Sequence, residues 1–251
     1  MKKAIFITAR LGSSRLPQKH IQSVGEGLTC LELLISRMET TGLPVVLVTS
    51  DEAMNKPFEK LSAKMGIEIF YGSVNNIPKR HVDAAKKFEV DFIFGIDGDD
   101  IFCAPEGVNK ISSKLDSEEI GPDNFICIKG YPFGMNPISY SSKFLEKSLS
   151  RVTEGQLETG WGRIFPPDKI VNLEIKSRNE DNWRLTLDYE EDLEVFRAVV
   201  REIGIERILT SSSTEILDVF SSKSIWKLNE SMIEGYWENF NSQVDKEKSN
   251  V

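Results

Sequence analysis

Cysteine and histidine are scarce in this chain of 251 residues, which carries three cysteines and two histidines. Cys30, Cys103 and Cys127 are odd in number and widely spaced, and only His20 and His81 accompany them. That excludes a disulfide framework or a zinc knuckle, which need more ligands at closer spacing. The thiols are expected to be ordinary packed side chains. Long apolar runs are absent as well. No stretch approaches the ~20 residues of a bilayer span, and only Ala4 to Ile7 separate the first lysines from Thr8, too short for a signal-peptide core. A cytoplasmic protein with no membrane partner is expected. Positive charge is also in deficit, with a net charge of −8 and a pI near 5.1. Wrapping a nucleic-acid backbone needs clustered Lys and Arg, so no nucleic-acid partner is expected. An acidic chain can still bind a small anion at a few placed cations.

What is present is 40% apolar residues, arranged in alternating patterns. Lys3–Thr8, Pro44–Thr49, Ile67–Phe70 and Asp91–Ile96 are short, β-branched or aromatic runs, as buried parallel strands are. Between them, 28–39, 55–65 and 78–88 carry apolar residues at helical spacing. Three such strand–helix–strand repeats predict an α/β fold with a mostly parallel sheet flanked by helices, whose ligands gather at the carboxyl ends of the strands. Further on, 106–115, 143–149, 190–203, 213–220 and 233–240 read as helices, and 124–129, 170–175 and 183–187 as strands. Segment 130–142, rich in Gly, Pro, Ser and Tyr, reads as an excursion or a lid. One domain over 1–240 is expected, with 241–251, charged and polar, as a disordered tail.

Two places carry chemistry. The loop Ala9-Arg-Leu-Gly-Ser-Ser-Arg-Leu-Pro-Gln-Lys19 follows the first strand and brings together Arg10, Arg15 and Lys19 with Gly12, Ser13 and Ser14. Backbone N–H groups backed by guanidinium forks suit phosphate oxygens, although a solvated surface loop has the same composition. It is neither a P-loop nor a dinucleotide fingerprint. The second place is Gly95-Ile-Asp-Gly-Asp-Asp-Ile-Phe102, where Asp97, Asp99 and Asp100 end a strand. Carboxylates this close repel unless a cation such as Mg2+ relieves them; a polar turn capping the next helix is the alternative. Asp97-Gly98-Asp99 also has the Asp-x-Asp spacing of glycosyltransferases. Far along the chain, Asp188 ends another apolar run and reads as the N-cap of the helix from Glu190, with Glu191 completing a capping box. Thr49, Ser50 and Asp51, at the end of the second strand, are placed to read a pyrimidine edge.

The Ala9–Lys19 loop resembles the signature A-R-x-G-S-x-R-L-P-G-K of the cytidylyltransferases related to spore-coat polysaccharide synthesis and, more distantly, of enzymes that make CMP-activated acidic sugars. Gln18 departs from it, standing where glycine is typical. The resemblance implies a nucleotide-diphospho-sugar-transferase-like (Rossmann-like) fold with CTP held by the loop from Ala9 to Lys19, its triphosphate on Arg10, Arg15 and Lys19. Gly98–Pro105 is similar to the family pattern G-D-x-P-L-I-x-P, which implies Asp99 as a metal ligand, with Asp97 among the residues that contact CTP. Arg184–Leu193 is similar to R-L-T-x-D-x-x-E-D-L, which implies Asp188 as the second ligand and leaves Asp192 to the helix start. Arg80 matches a family arginine that approaches the nucleotide, with Lys79 replacing the usual aspartate. The implied activity is Mg2+-dependent transfer of CMP from CTP to a small anionic acceptor (an acidic sugar, sugar phosphate or phosphonate) with release of pyrophosphate, for surface polysaccharide or glycoconjugate synthesis; homodimers are frequent in the family. Its His-Val-Thr element is replaced here by Leu157–Phe165. With Tyr131, Phe133, Met135, Asn136 and Trp161 this stretch is expected to line the acceptor pocket, with Arg163 meeting an acid group. A nucleotide-sugar glycosyltransferase of similar fold and a catalytically silent nucleotide-binding paralogue are the alternatives, the latter motivated by Gln18, Lys79 and the replaced element.

Overall fold

The computed structural model describes residues 1–152, 155–180 and 183–247. β1 (Lys3–Thr8) leads through a loop into a hairpin of β2 (Ser23–Gly25) and β3 (Leu28–Thr29), then α1 (Cys30–Glu39). β4 (Val45–Ser50), α2 (Pro57–Met65), β5 (Glu68–Gly72), α3 (Ile77–Phe88), β6 (Phe92–Asp97) and α4 (Pro105–Asp116) continue the alternation. β7 (Phe125–Lys129), β8 (Ile138–Ser141), α5 (Ser142–Leu149), β9 (Ile170–Glu174), α6 (Glu190–Ile203), α7 (Ile205–Ile208), α8 (Ser213–Ser222) and α9 (Ile233–Glu247) complete it.

Seven strands form one sheet in the order β5-β4-β1-β6-β8-β7-β9. β8 alone runs antiparallel to its neighbours, so the sheet is mixed and mostly parallel, as expected. Its two faces bury separate apolar clusters. In β1, Ile5 and Ile7 join one cluster and Ala4 and Phe6 the other, the alternation a strand buried on both faces must have. Burying any one of these large side chains contributes roughly 1.5–3 kcal/mol.

Four expectations are corrected. Within 130–142, residues Ile138–Ser141 are not an excursion but β8, a central strand between β6 and β7. Gly95 makes its insertion possible, because a Cβ there would stand 3.0 Å from the Tyr140 hydroxyl. Residues 183–187 do not form a strand. Leu185 N–H donates to the Phe133 carbonyl and Leu187 N–H to that of Asp99, so the segment is tied to loops at the carboxyl end of the sheet. Asp188 does not cap α6: the N-cap is Tyr189, and Asp192 accepts from both the Asp188 and Tyr189 N–H groups at 2.8 Å. Finally, residues 241–247, expected to be disordered, are the last turns of α9, and the Glu247 side chain is buried. Residues 248–251 of the expected tail lie outside the described residues.

Candidate active site

β1 and β6 run side by side in parallel, with Thr8 opposite Asp97, so the chain segments that follow them emerge together. The loop after β1 is anchored at several points although its charged tips are exposed. Ala9, Leu11 and Leu16 are buried, Leu11 N–H donates to Asn55 Oδ1 at 2.9 Å, and Asn55 Nδ2 is held by the Ser50 carbonyl and hydroxyl. Gln18 adopts left-handed backbone angles (φ 54°, ψ 25°) and turns the chain into a short 3-10 turn, Lys19–Ile21, that buries Lys19 and His20. After β6, Gly98 N–H donates to the Thr8 carbonyl at 2.7 Å. A Cβ at Gly98 would fall 2.7 Å from that of Ala9 and 3.0 Å from His20 Nε2, which only glycine avoids. The Leu187 N–H bond to the Asp99 carbonyl, at 2.9 Å, brings Asp188 to the same place from 89 residues away.

These segments surround a cleft of about 460 Å³. Lys19 Nζ stands between the two separated acids, 2.7 Å from Asp99 Oδ2 and 3.0 Å from Asp188 Oδ1, and donates to the Leu187 carbonyl at 2.8 Å. Arg15 Nη2 reaches the same Asp188 oxygen at 2.5 Å. Burial works against the charge on Lys19, but Asp99 and Asp188 prevail and raise its pKa. Burial likewise opposes ionisation of Asp99, yet Lys19 and His20 hold it well below the usual carboxylate range. Desolvation and the charge of Asp99 push Asp97 the other way, up to about 6. Desolvation and the neighbouring Asp97 also raise Asp100, which hydrogen-bonds Thr186. Crowded carboxylates whose proton affinities diverge are a common mark of a functional site.

Beneath this group, Arg184 forms a bidentate pair with fully buried Asp192. The pair fixes the turn that carries Asp188. Asp192 is therefore structural, as the sequence implied.

A strap of residues 157–162 closes the far side. Leu157 exchanges backbone hydrogen bonds with Asn75 and Ile77 at the start of α3. Glu158 then pairs with Arg10 at 2.9 Å and with buried Arg80 at 3.3 Å. Arg80 also donates to the Ser73 and Val74 carbonyls. The strap is held in turn by α9, since Glu247 accepts from the Glu158 and Thr159 N–H groups, both at 3.0 Å.

Of the residues singled out in the sequence, Ala9, Arg10, Gly12, Ser13, Ser14, Arg15, Lys19, Arg80, Asp97, Asp99, Trp161 and Asp188 line the cleft, as does Phe133. Thr49 and Ser50 do not reach it: both are fully buried, with Ser50 bonded to Glu52. Asp51, beside them, is exposed and also off the cleft wall. Four of the acceptor residues are displaced too. Asn136 Nδ2 clamps its own loop through the Tyr131 and Pro132 carbonyls, Tyr131 is buried in the core with Met135, and Arg163 turns back to the Thr159 and Gly160 carbonyls. Glu158, from the stretch expected there, lines the cleft, and so do Tyr236, Phe240 and Gln243. The latter three lie on α9 at helical spacing, beyond any motif in the sequence. His20, noted in the sequence only as one of two histidines, belongs to the site; its one signal was adjacency to Lys19.

Comparison with known proteins bears on the family and the fold. The family model described as cytidylyltransferase matches residues 4–146, which include the loop after β1 and the Asp97–Asp99 turn. The chain is 26% identical over 212 residues to the spore coat polysaccharide biosynthesis protein SpsF of Bacillus subtilis, covering 79% of this chain and 86% of SpsF. It is 24% identical over 132 residues to the 3-deoxy-manno-octulosonate cytidylyltransferase of Idiomarina loihiensis, about half of each protein. A cytidylyltransferase structure from Leptospira borgpetersenii superposes with a TM-score of 0.79 at 25% identity, over 90% of this chain and 96% of that one. With its family model spanning more than half of its length and its sheet shared with a solved member, the chain belongs to the cytidylyltransferase family, the CTP-dependent nucleotidyltransferases.

Proposed function

We propose that this enzyme transfers CMP from CTP to a small anionic acceptor, an acidic sugar, sugar phosphate or phosphonate, and releases pyrophosphate, as a step in surface polysaccharide or glycoconjugate synthesis. The observation that carries the reading is the position of Lys19, whose ammonium is shared by Asp99 and Asp188 with Arg15 on the same carboxylate. Two carboxylates directed at one cation are the donor set that Mg2+ takes alongside substrate phosphates and water. Asp99 and Asp188 would hold it. Bound there, the metal supplies Lewis-acid stabilisation of charge on the phosphates.

The chain's own residues do the rest. Arg10, Arg15 and Lys19 exchange their carboxylate partners for triphosphate oxygens, orient the α-phosphate toward the acceptor, and stabilise the charge that develops as pyrophosphate leaves. No nucleophilic side chain is required, because the acceptor oxygen itself attacks phosphorus. Phe133, Trp161, Tyr236 and Phe240 exclude water from that encounter, and Gln243 offers the acceptor a polar contact. SpsF supports the pathway by its name, and the octulosonate enzyme supports an acidic sugar as acceptor. The test is a pyrophosphate-release screen of the four nucleoside triphosphates against the three acceptor classes. Release with CTP and an anionic acceptor, abolished in a folded Asp99→Ala variant, is expected. Full activity in that variant would remove Asp99 from the site, and release with another triphosphate alone would overturn the nucleotide assignment.

A further inference from the structure

His20 has no part in the chemistry above, yet it is among the most tightly held side chains at the cleft. Its ring is 2% exposed and packs edge-on against Phe58, with centroids 6.2 Å apart. Nδ1 lies 2.9 Å from the Arg10 carbonyl oxygen, which can only accept, so Nδ1 carries a proton. Nε2 lies 2.8 Å from Asp99 Oδ1. The two buried atoms face each other at ion-pair distance, and neither makes a hydrogen bond of good geometry to any described residue. The other Asp99 oxygen, Oδ2, is the one that meets Lys19 and so looks toward Asp188. The imidazole therefore spans the backbone of the phosphate-facing loop and the carboxylate opposite it, through the gap left by the missing Gly98 side chain.

We propose that His20 is a positioning residue for Asp99. A carboxylate on a short side chain can rotate and offer either oxygen. Contact with His20 fixes Oδ1, leaves Oδ2 as the oxygen presented to a cation shared with Asp188, and ties that choice to the Arg10 backbone. Partners of this kind, one step removed from the metal, orient ligands and raise affinity without touching the ion. The inference rests on the reading of Asp99 and Asp188 as the Mg2+ ligands.

Two near-isosteric substitutions separate the two ends of the ring. His20→Asn keeps a donor near Nδ1 for the Arg10 carbonyl and removes the contact with Asp99; His20→Gln places an amide group where Nε2 stands, beside Asp99 Oδ1. The measurement is the calorimetric affinity for CTP, with and without Mg2+ and with no acceptor, and the readout is the ratio of the two. A general loss of packing would weaken both affinities and leave the ratio unchanged. In His20→Asn the Mg2+ enhancement falls by about tenfold or more, and in His20→Gln it stays within about threefold of the wild type, with thermal melts confirming that both fold. An unchanged ratio in His20→Asn, or equal loss in both variants, overturns the positioning role while leaving the metal site standing. If the wild-type protein shows no Mg2+ enhancement, the metal reading fails, and the role of His20 fails with it.

Discussion

Gln18 holds φ 54° and ψ 25°, a left-handed conformation that costs a side-chain-bearing residue about 1–2 kcal/mol. The sequence already set this position apart, because the resembling signature has glycine there. The reason is geometric: the chain must reverse here to bury Lys19 and His20 behind the loop. Gln18→Gly removes the strain but adds freedom to the unfolded chain worth about 0.5–1 kcal/mol. The expected outcome is a gain of about 0.5–1 kcal/mol in chemical denaturation, with the active-site loop unchanged. A loss of stability would mean that the glutamine side chain makes a compensating interaction. At this scale the motif residues were legible because a phosphate loop and a carboxylate pair are written as residue types at fixed spacing. Glu158 and His20 were not, because a single acid or imidazole acquires meaning only from what folds against it.

Among the elements, the strand–helix alternation from β1 to α4 was readable because strands buried on both faces and amphipathic helices have distinct periods. β8 was hidden. Its four residues sit between Gly, Pro and Ser, and its place in the sheet is set by contacts no local pattern records. The chief of these is a buried chain of hydrogen bonds, from Thr8 Oγ1 on β1 to His81 Nε2 at 2.7 Å and from His81 Nδ1 to the Tyr140 hydroxyl on β8 at 2.6 Å. Burial and the adjacent Arg80 push the His81 imidazole down to about 3, so it is neutral in the folded protein. Its contribution is complete above the unfolded value of about 6.5, declines as pH falls because the unfolded chain takes up the proton, and stops declining below about 3. Between pH 7 and pH 5 the wild-type protein is expected to lose about 2 kcal/mol through this one group. Denaturant midpoints across that range, compared with His81→Asn, measure it. Parallel pH dependences in the two proteins would show that His81 is not the group responsible.

For the molecule as a whole, a formal charge of −8 conceals a balanced cleft. Its wall carries four cations, Arg10, Arg15, Lys19 and Arg80, and four carboxylates, Asp97, Asp99, Glu158 and Asp188, among the described residues. The five ion pairs among them all join segments that the sequence places far apart, and the two made by Glu158 depend on α9. Glu158 reaches Arg10 and Arg80 because the backbone of the strap is held by Glu247, with Thr159 bonded to Gln243 and Arg163 beside Glu247. Composition suggested that residues 241–251 have nothing to bury, which does not hold for Glu247, whose carboxylate satisfies two backbone donors. Truncation after Phe240 removes Gln243 and Glu247 while sparing both apolar clusters, none of whose members lies beyond Phe240. The shortened protein is therefore expected to fold, with a KM for CTP raised on the order of tenfold, equivalent to about 1.4 kcal/mol, because nucleotide must then order the strap as well as bind. Truncation after Glu247 keeps the anchor and should match the full chain in steady-state kinetics. Equal KM values for both truncations would mean that the strap holds its place without α9.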